Sequence, residues 1–472
     1  MPAPAGHLSL LARLQPYVLN GSLSFLNDDQ WTYFASPLRA RDGTFDDLTA
    51  ASPYAGTLSA FKLGTTLRSR YSHLLAYEAE GPTSLWSASS PRDVETARYF
   101  ADGLFGRDWA LPNATNPASL HIIPETEERG SNTLTPSDTC TRYIHDKVSG
   151  HDKGYHKLAE WQRVFTRPIS ARLSAANPAI DPALSPLEVY GMMELCGFET
   201  LVRGDSPWCG IFSQAEWLDF EYARDLLHYY RAGPGNRYAA AMGSLWLNST
   251  NHLLAQESKL TDHRESQGSA PGELYAAFVH DSDIVPVIAA LGVLGEESPA
   301  ADRRRKSHND DDLEGLPATH RKDSRLWRTS DIVPMLGHLI IERLNCHTPQ
   351  GWPYRDVRLF LNDGWMGLPV PVRSTSSRET SATTSPAAHP ENLEQMDMPE
   401  PPPIPPSSSL LSLSTPSGRV FIPQMELRRF VDMIKPLVVD ADGRSRFGTV
   451  CGVEETEKVG EKELEDNMEE QR

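Results

Sequence analysis

The chain has 472 residues, 39% of them hydrophobic, with 37 prolines, 32 glycines and a net charge of −18. This length allows one large domain with an insertion, or two domains. The acidic balance argues against a nucleic-acid partner, which calls for a clustered basic face, and no run of about 18 apolar residues predicts a membrane span.

Residues 1 to about 300 read as continuous folded protein in which helical and strand patterns alternate. The opening, MPAPAGHLSLLARLQPYVLN, lacks the charged start and apolar centre of a signal peptide. Against a cytosolic reading stand three glycosylation acceptors, Asn20 (NGS), Asn113 (NAT) and Asn248 (NST), which matter only in a secreted chain. Such tripeptides also arise by chance, so both readings stay open. The five cysteines are an odd number, which leaves at least one without an internal partner. From 298 to 324 the composition turns charged and almost free of apolar residues, as in a solvated loop insertion. HLIIERL (338–344) and VRLFL (357–361) then read as neighbouring strands. A Ser/Thr/Pro tract at 373–418, containing PEPPPIPPSSS, cannot build a core and is expected to be disordered. A helical piece at 425–438 precedes an acidic tail, whose nine acidic and three basic residues from 454 to 472 supply six of the negative charges.

Two segments carry chemistry. In ELYAAFVHDSDIVPVIAALGVLG, residues 274–279 are a short apolar run suited to a buried strand. Residues 284–294 suit a helix that ends at Gly295, with Pro286 in its first turn. His280 and Asp281 therefore fall where a strand ends and a helix begins, the place where open α/β sheets bind ligands and where helix N–H groups favour anions. TSLWSA (83–88) followed by SSPRDVETARYFADGLFG repeats this form. Ser90 is its expected N-cap, Pro91 its first helical residue, and Asp93 sits at capping-box spacing. Val94, Ala97, Ala101 and Leu104 recur at helical spacing and would face the sheet. Arg92 lies in the first turn, and an ordinary surface ion pair explains it as well as anion binding does. Two further His-Asp pairs, His145-Asp146 and His151-Asp152, have no strand before them and read as solvent-facing residues. Together the two junctions describe an oxyanion pocket with an arginine fork, an imidazole and an adjacent carboxyl, arranged as a phosphoryl group requires. The carboxyl could protonate a leaving alcohol.

These residues resemble a known family. SPYAGTLSAFKLGTTLRSRYSHLL (52–75), SASSPRDVETARYFADGLFG, NTLTPSDTC, SPWCGIFSQAEW, HYYRAGPGN, ELYAAFVHDSDIVPVIAALGVL and SDIVPMLGHLIIERLNC are similar, in order, to segments of the fungal histidine acid phosphatases and phytases. RRFVDMIKPLVV is a weaker match. The resemblance implies an α/β phosphoglycerate-mutase-like core over 1–125 and 255–371, a mainly helical cap at 125–255, and a last core segment at 419–452. It implies that Arg92 and His280 contact phosphate and that Asp281 donates the proton to the leaving group. No cofactor and no metal are expected. The substrates would be small phosphate monoesters, inositol phosphates among them, with the acidic residues leaning weakly towards a broad-specificity acid phosphatase.

The family's nucleophile is the histidine of an Arg-His-Gly-x-Arg-x-Pro motif, and no Arg-His-Gly occurs in the 472 residues. His7 belongs to a stretch similar to the family segment on the C-terminal side of that motif, and it reads as an ordinary histidine. In the family the motif is preceded by a signal peptide and borne on a central strand, whose loss would leave two neighbours with unpaired backbone groups. The expectation is therefore a truncated start, with the motif encoded just upstream and the complete protein secreted or held in the cell wall. A pseudophosphatase that binds phosphorylated ligands without turnover is the alternative. A third reading, from another class, is an interaction protein that recruits partners through the prolines of 401–406. By the same resemblance Cys140 pairs with Cys451 and Cys196 with Cys209, leaving Cys346 a free thiol.

Overall fold

A computed structural model describes residues 4–21, 23–26, 56–75, 83–126, 130–255, 274–294, 315–369, 413–414 and 420–453. Most of the charged loop, nearly all of the Ser/Thr/Pro tract and the acidic tail lie outside the described residues.

Helix α1 (Pro4–Leu19) is followed by α2 (Gly56–Tyr71), β1 (Thr83–Ala88), α3 (Pro91–Phe105) and β2 (Ala118–Ile123). From 131 to 255 every described element is helical. After three short turns come α4 (Lys153–Ala176), α5 (Pro186–Arg203), α6 (Gln214–Arg231) and α7 (Ala239–Ala255). Strand β3 (Ala276–Phe278) and α8 (Asp281–Leu291) return the chain to the sheet. Then come β4 (Leu339–His347), β5 (Pro353–Leu361), β6 (Gly364–Met366), β7 (Leu368–Pro369), β8 (Leu413–Ser414), β9 (Val420–Ile422), β10 (Gln424–Glu426), α9 (Leu427–Val438) and α10 (Arg446–Cys451).

Strands β2, β1 and β3 form a parallel sheet in that order, with Leu85 opposite both Leu120 and Ala276. A second, antiparallel sheet runs β10-β5-β4, with β6 also on β5 and Leu339 opposite Leu361. The two predicted neighbouring strands are thus β4 and β5. Among the described residues β3 pairs only with β1, and β4 only with β5. On β3 Ala277 is exposed, and at the start of β4 Leu339, Ile340 and Ile341 are only half-buried, ahead of Glu342 and Arg343. At the end of the Ser/Thr/Pro tract, Leu413 and Ser414 pair with Phe421 and Val420.

Helix α3 forms as expected, burying Val94, Ala97, Ala101 and Leu104. It crosses α2 at a pair of glycines. A Cβ on Gly64 would collide with the Phe100 carbonyl and one on Gly103 with the Phe61 carbonyl, so the two backbones meet directly. Helix α8 differs from its predicted limits. It begins at Asp281 and stops at Gly292, whose φ of 67° places it in the left-handed region. Gly295 is therefore not the stop, and Pro286 falls in the second turn. Its ring, which lacks an N–H, costs one helical hydrogen bond, and the Pro286 carbonyl packs against Gly243 of α7.

Both bridges implied by the resemblance are formed. Cys140–Cys451 spans 311 residues of sequence and Cys196–Cys209 spans 13, while Cys346 on β4 is a free thiol. The longer bridge sits in a small core with Tyr143, Tyr238, Met242 and Phe447, fixing α10 against the helical region.

Candidate active site

Three parallel strands deliver their carboxyl ends to one place. After β1 come Ser90, Arg92 and Asp93; after β2 comes Glu125; after β3 come His280 and Asp281. The His280 ring lies between two carboxylates, Nδ1 at 3.1 Å from Asp93 Oδ2 and Nε2 at 3.3 Å from Glu125 Oε2. Glu125 is held in turn by the Ser90 backbone N–H, which donates to its Oε1 at 2.6 Å. This corrects the capping box read at Ser90 and Asp93. The Ser90 side chain makes no capping bond, its N–H is taken by Glu125, and Asp93 turns to the imidazole.

Burial alone would lower the His280 pKa, but Asp93, Asp283 and Glu125 outweigh it and raise it, favouring an imidazolium. The ligand atoms of Asp93, Glu125 and His280 lie within 4.8 Å of one another, close enough to share a divalent cation. Each ring nitrogen already faces a carboxylate, however, and a raised histidine pKa favours the proton over a metal.

Asp281 is next in the chain. Its Oδ1 accepts from the Ser282 N–H at 2.8 Å, its Oδ2 is 3.6 Å from His228 Nε2, and 44% of the side chain is exposed, so a leaving group can reach it. Burial works to raise its pKa, while His228, Arg224 and Arg231 of α6 outweigh burial and hold it below the usual carboxylate value. Two residues on, Asp283 is 3% exposed. Its Oδ1 accepts from Ser137 Oγ at 2.8 Å and its Oδ2 has no hydrogen-bond partner among the described residues. Burial, with the negative neighbours Asp138 and Asp281, pushes this carboxyl up to about 7 against the opposing Ser137 bond and His280.

Of the predicted site residues, His280 and Asp281 share the junction, and Arg92 lies in the turn that supplies Asp93, with its side chain exposed. His7 is buried, its Nε2 at 3.1 Å from Glu194 Oε2. His151 pairs with Asp152 at 2.8 Å, and Asp146 accepts from the Val148 and Ser149 N–H groups, both within local turns. Asn20 and Asn113 are exposed and Asn248 half-buried. Sequence reading missed Glu125, although it comes after β2 as His280 comes after β3 and the same rule would have found it. It also missed His228, Arg224 and Asp283, whose partners come from distant segments.

The sequence profile of the histidine phosphatase superfamily (branch 2) matches residues 17–362. The chain belongs to that superfamily. Its curated relatives are the fungal proteins that the seven segments imply. An acid phosphatase of Komagataella pastoris is 30% identical over 347 residues, 73% of this chain and 64% of the relative. A phytase of Candida albicans is 28% identical over 363 residues, 76% of this chain and 68% of the relative. The chain thus spans slightly under two thirds of the first of these and slightly over two thirds of the second. The crystal structure of a phytase from D. castellii superposes with a TM-score of 0.66 at 22% identity, covering 95% of this chain and 77% of that one. The chain accordingly has the mixed α/β fold of that phytase. No helix among the described residues is long and apolar enough to cross a membrane.

Proposed function

We propose that this chain is the greater part of a histidine acid phosphatase or phytase that hydrolyses phosphate monoesters through a phosphohistidine. The observation that carries this reading is the convergence of three parallel strand ends on His280. In this reading Arg92 and His280 hold the phosphate and Asp281 protonates the leaving oxygen. An imidazolium and a guanidinium at helix N-termini suit a tetrahedral anion, and the exposure of Asp281 suits a group that must meet the departing alcohol. The nucleophilic histidine and its two arginines come from an Arg-His-Gly-x-Arg-x-Pro segment not found in the 472 residues. The free edge of β3 and the apolar start of β4, neither paired on its other side among the described residues, support a further strand as its carrier. Residues 125–255 act as the cap over the core. The similarity to fungal acid phosphatases, the two disulfides and the exposed Asn20 and Asn113 support secretion and glycosylation.

The test has two arms. Isothermal titration measures inorganic phosphate binding at acid pH to the 472-residue chain and to its Arg92→Ala variant. A p-nitrophenyl phosphate assay compares the chain as it stands with a version carrying the motif ahead of Met1. The expected outcome is weak, Arg92-dependent phosphate binding without turnover in the first, and turnover with a trapped phosphohistidine in the second. Full turnover by the unextended chain overturns the missing nucleophile. Binding without turnover in both forms favours the pseudophosphatase, and absence of both sinks the phosphatase reading.

A further inference from the structure

A chain of polar contacts, buried at His7, Glu194 and His228, leads from the helical region to the exposed Asp281. His7 Nε2 of α1 lies 3.1 Å from Glu194 Oε2 of α5, and Glu194 Oε1 is 3.8 Å from Arg224 Nη1 of α6. The same Nη1 lies 3.4 Å from the Tyr190 hydroxyl. The other guanidinium arm, Nη2, is 3.2 Å from His228 Nε2, which is in turn 3.6 Å from Asp281 Oδ2. Residues 224, 228 and 231 recur at helical spacing, so one face of α6 presents Arg224, His228 and Arg231 towards the start of α8.

Hydrogen-bond chemistry fixes the roles within this row. A guanidinium has only donors, so His228 Nε2 must accept from Arg224 and the ring proton sits on Nδ1. That Nδ1 is buried with no hydrogen-bond partner among the described residues. The 3.6 Å separation is also too long for a direct bond from Nε2 to Asp281. His228 is 2% exposed, and burial drives its pKa down to about 3, so the ring stays neutral in mild acid. A protonated His228 would act on Asp281 most strongly, but with the ring neutral in mild acid the permanent charges of α6 that bear on Asp281 are the Arg224 and Arg231 guanidinium groups, and Arg224 is the one tied to the ring that lies 3.6 Å from Asp281.

We propose that Arg224, held against the His228 ring that packs on Asp281, is a positioning residue that sets the charge this carboxyl meets from α6. Among the described residues the other charged groups facing Asp281 are Arg231 of α6, the neighbouring His280, Asp283 of its own helix and Asp93 of α3. Arg231 acts with Arg224, and the two acids oppose them. The consequence for catalysis rests on reading Asp281 as the proton donor; the electrostatic relation itself does not.

The test is carboxyl carbon NMR of the 472-residue protein labelled at aspartate, with Asp281→Asn to assign the resonance. Arg224→Gln is expected to move the Asp281 midpoint up by about one pH unit, the scale of a single nearby opposite charge. Arg224→Lys, which keeps the charge, is expected to move it less. An unchanged midpoint in Arg224→Gln overturns the proposal. Nitrogen NMR of histidine-labelled, unsubstituted protein gives a second check that no folding defect can obscure. His228 should be neutral with its proton on Nδ1 at mildly acid pH, and a proton on Nε2 overturns the arrangement. In a version carrying the nucleophile motif, a moved NMR midpoint beside an unmoved pH–rate profile supports the positioning role while removing Asp281 as the donor.

Discussion

Asp283 should make this protein lose stability as the pH rises through neutrality. Its carboxyl is buried, accepts one hydrogen bond from Ser137 and leaves Oδ2 without a partner among the described residues. The folded protein therefore holds the proton far more tightly than the unfolded chain, with the pKa raised from 3.8 to about 7. Proton linkage sets the sign. Below about pH 4 both states are protonated and nothing is lost; between pH 4 and 7 the folded state binds the extra proton, so stability falls as pH rises, and the loss is complete above 7. At about 1.4 kcal/mol per unit, the roughly three units amount to about 4 kcal/mol, a large part of the 5–15 kcal/mol typical of a domain. Asp283→Asn mimics the protonated acid and should lack this term. Other carboxyls with raised pKa values, Asp93, Asp138 and Asp225, push the same way, so the informative quantity is the difference between the two proteins. Urea unfolding at pH 4.5, 6 and 8 (roughly spanning the window set by linkage) should show the variant gaining on the parent by several kcal/mol as pH rises. A constant difference across that range would refute the reasoning.

Removing the Cys140–Cys451 bridge by a double alanine substitution should cost about 4 kcal/mol, because it closes a very long loop, and Cys196–Cys209 somewhat less; thermal unfolding measures both. Peptide mapping without reductant should find Cys346 as the sole free thiol. Gly243→Ala drives a methyl group into the Pro286 carbonyl and should destabilise by about 1–3 kcal/mol, while weakening phosphate binding because α8 carries His280 and Asp281. In a version carrying the nucleophile motif, Asp281→Asn should slow turnover roughly a hundred- to ten-thousandfold, with p-nitrophenyl phosphate affected less than an alkyl phosphate because its leaving group needs little protonation.

The junctions at Arg92 and His280 were legible because their signals are local. Each consists of a short apolar run, then a capping residue, then apolar positions at helical spacing. The pairing of β4 with β5 was legible for the same reason. What local signals could not decide was the partner of each polar group. Asp93 has the spacing of a capping residue, yet an imidazole from 187 residues further along the chain offers a closer charge. The end of α8 was equally ambiguous, since Gly292 and Gly295 both suit a helix stop and only the backbone angle at Gly292 decides it. Glu125, Arg224, His228 and Asp283 read singly as surface or core residues. They become a site only when strands and helices far apart in sequence are brought together.

The charge balance at the strand ends is itself informative. Asp93, Glu125, Asp138, Asp281 and Asp283 gather around one imidazole, and among the described residues the nearby cations are His280, Arg92, Arg224 and Arg231. The last two are turned towards Asp281 and Glu194. A phosphate entering beside Asp93 and Glu125 therefore meets more negative than positive charge, which is the wrong field for an anion site in a low-dielectric cleft. Two further arginines, as an Arg-His-Gly-x-Arg-x-Pro segment supplies, would reverse that field and give Asp93 and Glu125 cationic partners. Their arrival would also free His280 from its two carboxylates and turn it towards the phosphate. On this reasoning phosphate binding by the 472-residue chain should strengthen as falling pH protonates Asp93, whose pKa is already raised mainly by burial.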